Sequence, residues 1–123
     1  MESLRLPFTD RTDLRSLRGG ARQVLGQLQS PDLVEDVLLV ITELVENVMQ
    51  HTDDGGELVV RRRDDAVRIE VADSSPEPPR QYPPDPRRIG GRGMLLVAAM
   101  TREWGTHPLD GGKVVWADVP LSQ

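Results

Sequence analysis

The stretch that decides the fold is EDVLLVITELVENVMQHT, residues 35–52. Its apolar residues recur with the spacing of a buried helical stripe, at positions 37, 38, 41, 44, 45 and 48. Glu43 and Asn47 are four residues apart, so their side chains lie one turn apart on a single face of the helix. The stretch therefore predicts a helix with one side in the core and a polar side that is free for chemistry.

The polar face of this helix suits a divalent cation that carries a phosphate. The amide oxygen of Asn47 is a hard, neutral ligand for magnesium, and the Glu43 carboxylate is able to orient a water or accept a proton. Gln50 and His51 extend the same face. An amphipathic helix with ordinary solvated polar residues has the same spacing, so both interpretations stay open on this stretch alone.

Length and composition indicate one globular domain that covers residues 1–123. The hydrophobic content of 37% and the charged content of 28% are typical of a soluble chain, and the formal net charge of −5 argues against nucleic acid as a direct partner. The absence of cysteine excludes disulfides and thiolate metal sites. The sequence has no signal-peptide pattern and no apolar run long enough for a bilayer, so we expect a cytoplasmic protein without membrane contact.

Two elements precede the central helix. Residues 3–7 alternate apolar and polar and stop at a proline, which predicts a short edge strand. A second helical stripe covers residues 14–28, with Thr9 and Asp10 as its candidate caps. The pair Gly19–Gly20 inside it costs about 1 kcal/mol per residue relative to alanine, and it marks either close packing or a weak point.

Strand patterns follow the central helix. Residues 57–63 and 66–72 flank two aspartates and predict a hairpin with one apolar face. Residues 113–119 alternate as a last strand. Trp104 is a candidate residue of a short strand beside a turn, and both tryptophans are expected to serve packing. The order of elements predicts an α+β two-layer sandwich, with helices packed on one face of a mixed, mainly antiparallel sheet.

The segment between the hairpin and the last strand is irregular at first. Residues 74–88 contain six prolines, which exclude a regular helix and a central strand and favour a functional loop, a lid or an irregular excursion. Glycines at 90, 91 and 93 then lead into the apolar run 94–101, which predicts a helix. Backbone N–H groups at such a helix start are able to bind an anion, although many glycine clusters of this kind are only turns.

Three segments, in this order, resemble the motifs of the GHKL-type (histidine kinase-like) ATPase domain. The likeness is greatest to the single-domain anti-sigma factor serine/threonine kinases and their actinobacterial relatives. Residues 43–47 with His51 and Thr52 look like the N-box helix, residues 69–75 resemble the strand and aspartate of the adenine-binding box, and residues 91–97 are similar to the second glycine box. The opening LRLP and the tail GKVVWA are also typical of these proteins, so the resemblance covers almost the whole chain.

The resemblance implies ATP and Mg²⁺ as cofactors and gives roles to three side chains. Glu43 would be catalytic and polarise the attacking water or protein hydroxyl. Asn47 would be the metal ligand and hold magnesium between the nucleotide phosphates. Asp73 would accept a hydrogen bond from the adenine amino group. Glu46 competes with Glu43 for the catalytic role, but it lies about 100° further round the helix than Glu43, which shares the face of Asn47.

The resemblance also implies a phosphate-binding turn and a lid. Gly91 and Gly93 would let backbone N–H groups approach the phosphates, with Arg92 near them, and residues 74–90 would form a proline-rich ATP lid. One departure stands out: the sequence SSPEP at 74–78 replaces the glycines that the family places after its aspartate. This change puts nucleotide affinity in question.

Two functions follow from the resemblance. The first is an ATP-binding serine/threonine-protein kinase, a transferase that phosphorylates a small antagonist protein and acts in transcription regulation as an anti-sigma factor. Its partners would be a sigma factor, the antagonist protein, or both, and a homodimer is suggested. The alternative, motivated by the altered adenine box, is a catalytically weakened or inactive module of the same fold that regulates transcription or signalling by protein–protein binding.

Overall fold

The computed structural model describes residues 3–9, 11–26, 30–51, 55–73, 100–109 and 112–121. Within these ranges the chain forms an α+β sandwich, as the pattern predicts. Its elements, in chain order, are β1 (Ser3–Phe8), α1 (Leu14–Leu25), α2 (Pro31–His51), β2 (Gly56–Arg62), β3 (Ala66–Asp73), β4 (Glu103–Leu109) and β5 (Gly112–Pro120). No helix in the described ranges has the length and apolar character that a membrane span requires.

The five strands form a single sheet in the order β1-β2-β3-β5-β4, and each of these pairings is antiparallel. The predicted hairpin is confirmed as β2 and β3, which pair from Arg62 opposite Val67 to Gly56 opposite Asp73. In the middle of the sheet, β3 pairs with β5, and Asp73 is opposite Lys113. The sheet therefore brings the end of β3 and the start of β5 together, although Asp73 and Lys113 are 40 positions apart in the chain.

The helices pack on one face of the sheet because the strands alternate. In β3 the side chains of Val67, Ile69 and Val71 join the core cluster with the apolar stripes of both helices, whereas Arg68 and Glu70 lie on the other face. Phe8 is the aromatic residue of that buried cluster, and the rest of it is aliphatic. The core is thus built mainly from aliphatic side chains, in a chain whose aromatic content is only 3%.

Helix α2 runs across the sheet in a defined direction. Its first turns, at Asp32 and Leu33, line a cleft together with Val119 and Leu121 at the end of β5. Its last residue, His51, is five residues before Gly56, where β2 begins, and five residues span at most about 18 Å. The C-terminal end of α2 therefore lies at the end of the sheet where β3 finishes and β5 starts.

Two local predictions need correction. Strand β1 continues through Pro7 to Phe8, which is possible because β1 is at the sheet edge and a missing N–H group there breaks no ladder. The cap of α1 is Asp13, whose carboxylate accepts from the Arg15 backbone N–H. Thr9 is not a cap: its hydroxyl accepts from the backbone N–H of Arg11 in the preceding turn.

The structure also adds a strand that the sequence pattern only hints at. Trp104 belongs to β4, a strand of seven residues at the second edge of the sheet. The predicted lid at 74–90 lies outside the described residues. Of the predicted helix at 94–101, only Met100 and Thr101 are described, and Met100 is helical.

Candidate functional site

The polar face of α2 lies beside a fully packed stripe. Leu44, Val45 and Val48 are at most 2% exposed. Glu43 and Asn47, at the border of this stripe, are half-buried. The helix is regular here: the Thr42 hydroxyl donates to the Leu38 carbonyl at 2.9 Å. Packing of the stripe therefore fixes the direction in which the carboxylate and the carboxamide point.

The environment of Glu43 favours its protonated form. Partial burial raises the pKa of the Glu43 carboxyl above its usual value, and the nearby negative charge of Glu46 raises it further. A carboxylate with a raised pKa is a better proton acceptor than a fully solvated one at the same pH. This shift is the property expected of a general base.

Asp73 ends β3 on the face that the helices cover. It follows Val67, Ile69 and Val71 at the same alternation, and it is only 7% exposed. Its partner in β2 is Gly56, and a Cβ atom at Gly56 would clash with the Ala72 carbonyl oxygen. The backbones of β2 and β3 thus approach closely at this end, which holds the Asp73 carboxylate in a fixed place.

A cation lies directly beside this carboxylate. The Lys113 ammonium Nζ is 3.0 Å from Asp73 Oδ2, and the two side chains are 7% and 2% exposed. Lys113 precedes Val115, Ala117 and Val119 at the core-facing alternation of β5. The pair therefore continues the core stripes of the two strands, with charges in place of aliphatic groups.

The fold brings the two halves of the candidate site to the same end of the sandwich. Asn47 is one turn before the C-terminal end of α2, and that end connects through four residues to Gly56, the neighbour of Asp73 in the sheet. The cleft at Asp32 and Leu33 marks the opposite end. The chain connection therefore places Asn47, near the C-terminal end of α2, at the same end of the sandwich as Asp73, and Glu43 lies one helical turn before Asn47.

The remaining predicted site residues are not covered. Gly91, Arg92 and Gly93 lie outside the described residues, as do the side chains of Gln50 and His51. In the described part of the chain, no group of three or more His, Cys, Asp or Glu residues is arranged to hold a metal ion. A magnesium ion at Asn47 would need most of its ligands from phosphate oxygens and water, which is the usual way in which Mg²⁺ binds with nucleotides.

Lys113 is the residue of this site that the sequence analysis missed. A signal was present: Lys113 and Asp73 both occupy core-facing positions of alternating strands, where a charge requires a partner. Recognising the pair needs the additional knowledge that β3 and β5 are neighbours in the sheet.

The domain has two layers, an antiparallel sheet and the helices packed on one of its faces. The central helix carries a polar stripe, and an aspartate ends the middle strand of the sheet. These features define a domain of the GHKL ATPase type. The chain belongs to the histidine kinase-like ATPase domain family, whose family model matches residues 7–118.

The fold is also similar to that of a solved structure, the RsbU and RsbW domains of Rv1364c from Mycobacterium tuberculosis. The TM-score is 0.70 at 19% sequence identity, and the match covers 97% of this chain and 32% of that chain. This chain thus spans about a third of the solved one, and the likeness shows a shared fold. Comparison with curated protein sequences gives no significant match.

Proposed function

We propose that this protein binds Mg²⁺-ATP and transfers the γ-phosphoryl group to a serine or threonine hydroxyl of a small antagonist protein, acting as an anti-sigma factor. The proposal is supported by the membership of the chain in the histidine kinase-like ATPase domain family, and by a fold in which the end of α2 that carries Asn47 lies at the end of the sheet where Asp73 ends β3. The similar solved structure, which contains an RsbW domain, supports the fold on which the proposal rests.

Each side chain has a role that its chemistry supports. Asp73 would accept a hydrogen bond from the adenine amino group, and its burial would make this contact strong. The Asn47 amide oxygen would ligate magnesium, which offsets phosphate charge when bound. Glu43 would accept the proton of the attacking hydroxyl, since its pKa is raised by burial and by Glu46. In the transfer, the new bond joins the hydroxyl oxygen to phosphorus, and ADP leaves.

Binding is tested by calorimetric titration with Mg²⁺-ATP. Wild type should bind, and Asn47→Ala and Asp73→Asn should each weaken binding by about tenfold or more, as expected for the loss of a contact to a charged group. Glu35→Ala is the matched control, because Glu35 lies on the exposed side of the same helix near its other end. Absence of ATP binding to wild type would refute the proposal.

Transfer is tested separately with labelled ATP and candidate antagonist proteins. Glu43→Gln should bind ATP but lose at least about 100-fold in transfer rate, the lower end of the range for general-base catalysis. Glu46→Gln is the control, because Glu46 is also half-buried on α2 but lies off the face of Asn47. If Glu46→Gln abolishes transfer and Glu43→Gln does not, the two glutamates exchange roles.

A second function is a module of the same fold that binds its protein partner without catalysis. The observation that favours it is the ion pair of Asp73 with Lys113, which already engages the carboxylate. This function predicts partner binding that is unaffected by ATP, with no labelled product. Transfer that disappears in Glu43→Gln would exclude it.

A further inference from the structure

Lys113 is unusual because it is a lysine in the core-facing row of a central strand. Lysine is almost never fully buried unless it is paired, and Lys113 is 5% exposed. A buried ion pair is weak evidence for a stabilising role, because well-packed apolar residues of similar size usually give as much stability. The pair of Lys113 with Asp73 therefore calls for a reason beyond stability.

The sheet fixes the geometry of this pair. Asp73 and Lys113 are direct cross-strand partners in β3 and β5, two neighbouring interior strands of the five-strand order. Their charged atoms, Oδ2 and Nζ, are 3.0 Å apart in a nearly dry environment. The pair thus offers a hydrogen-bond acceptor and a cationic donor side by side, at the end of the sheet to which α2 brings Asn47.

We propose that Lys113 is a specificity-determining residue, which donates a hydrogen bond to the N1 atom of adenine while Asp73 accepts one from the N6 amino group. The inference rests on the proposed function, since it requires ATP in this site. An ammonium has three N–H donors, and the bond to Asp73 uses one. Adenine carries its amino donor and its N1 acceptor on adjacent ring atoms, so its edge matches an acceptor and a donor that are side by side.

The pair also rejects guanine. At the corresponding two positions guanine has a carbonyl oxygen and an N–H group, so the order of donor and acceptor is reversed. The carbonyl would face the Asp73 carboxylate and the N–H would face the Lys113 ammonium, and both contacts become repulsive. Buried polar groups left unpaired in this way give strong discrimination, which one carboxylate alone provides only in part.

The test compares ATP with 1-deaza-ATP, in which a C–H group replaces N1, by calorimetric titration in the presence of Mg²⁺. Wild type should bind ATP about tenfold or more tightly than 1-deaza-ATP, since a hydrogen bond to a charged group is lost. In Lys113→Met the two nucleotides should bind alike. Arg61→Met, which removes a cation from the other face of the sheet, is the control and should keep the wild-type preference.

The outcomes separate the inference from the function on which it rests. If wild type binds no ATP, the proposed function and the inference both fail. If wild type binds ATP and 1-deaza-ATP equally, or if Lys113→Met keeps the preference, the inference fails and the ATP site stands. The comparison of the two nucleotides on wild type decides the matter even if Lys113→Met does not fold, and Lys113→Arg, which keeps a cationic donor, then serves as the folded variant and should retain part of the preference.

Discussion

The guanidinium carbon of Arg68 lies 4.3 Å from the ring centroid of Trp116, on the face of the sheet opposite to the helices. Arg68 Nη1 also lies 3.4 Å from Oδ2 of the buried Asp118 carboxylate. The ring of His107, in the neighbouring strand β4, stacks on Trp116 with ring centroids 6.0 Å apart. The Asp118 Oδ1 atom is buried and has no hydrogen-bond partner among the residues that the structure describes. Arg68 therefore contacts both the Trp116 ring and the buried carboxylate of Asp118.

Arg68→Met should consequently destabilise the protein by about 3 kcal/mol. The change removes the cation–π contact and leaves the Asp118 carboxylate buried without its cation. Urea unfolding at neutral pH measures the loss. Arg22→Met is the matched control, because Arg22 pairs with Glu35 at the exposed surface and should cost less than about 1 kcal/mol. Equal losses in the two variants would show that Asp118 does not depend on Arg68.

The raised pKa of Glu43 makes stability depend on pH in a defined direction. Burial, helped by the charge of Glu46, raises the pKa of this carboxyl in the folded state, so the folded protein holds the proton more tightly than the unfolded chain. The stabilising contribution of Glu43 is therefore complete below its unfolded pKa and is lost as the pH rises through its folded pKa. At neutral pH the ionised carboxylate is a cost to folding.

Glu43→Gln removes this cost, so the variant should be more stable than wild type at pH 7, and the difference should disappear as the pH approaches 4. Urea midpoints at a series of pH values give the result. Glu46→Gln should gain less, because burial is the larger cause of the shift at Glu43 and the charge of Glu46 the smaller one. A gain for Glu43→Gln that is the same at pH 4 and pH 7 would contradict the assignment.

The elements that the sequence predicted well are those with a strong local period. The stripe of α2 has Val37, Ile41 and Val48 at helical spacing, and each is at most 2% exposed in the structure. The β2–β3 hairpin likewise follows from the apolar run of residues 58–60 and the strict alternation of residues 66–72 on the two sides of two aspartates. In these stretches a single repeat determines both the type of element and its buried face.

The features that the sequence missed depend on contacts between distant segments. Strand β4 contains Gly105 and Pro108, which interrupt a strand pattern. Glycine suits position 105 because a Cβ atom there would lie 3.0 Å from the Trp116 ring. Pro108 is tolerated because β4 is an edge strand. The pair of Asp73 and Lys113 depends on β5 lying between β3 and β4. No local pattern specifies that strand order.

The pair of Asp73 and Lys113 can be tested for stability as well as for specificity. Lys113→Met should cost about 3–5 kcal/mol, because it leaves a buried carboxylate without its cation. The double variant Asp73→Leu/Lys113→Met replaces both charges with apolar groups of similar size and should recover most of this loss. Urea unfolding of the wild type, the two single variants and the double variant completes the cycle. A double variant as unstable as the sum of the single ones would show that the two residues act independently.

The glycines of this chain differ sharply in what an added methyl group would meet, and alanine substitutions should show it. Gly55 has a φ of +77°, and its Cβ atom would clash with the Phe8 carbonyl oxygen and lie 2.9 Å from Thr9 Cα. Gly55→Ala should therefore destabilise by more than about 2 kcal/mol, since backbone atoms cannot move aside cheaply. In contrast, Gly19 in α1 has open space around it, and Gly19→Ala should stabilise by about 1 kcal/mol. Gly20, whose Cβ atom would lie 2.9 Å from Leu6 Cδ1, should fall between them because a side chain can shift. Thermal unfolding ranks the three variants, and a Gly55→Ala protein as stable as wild type would contradict the positive φ.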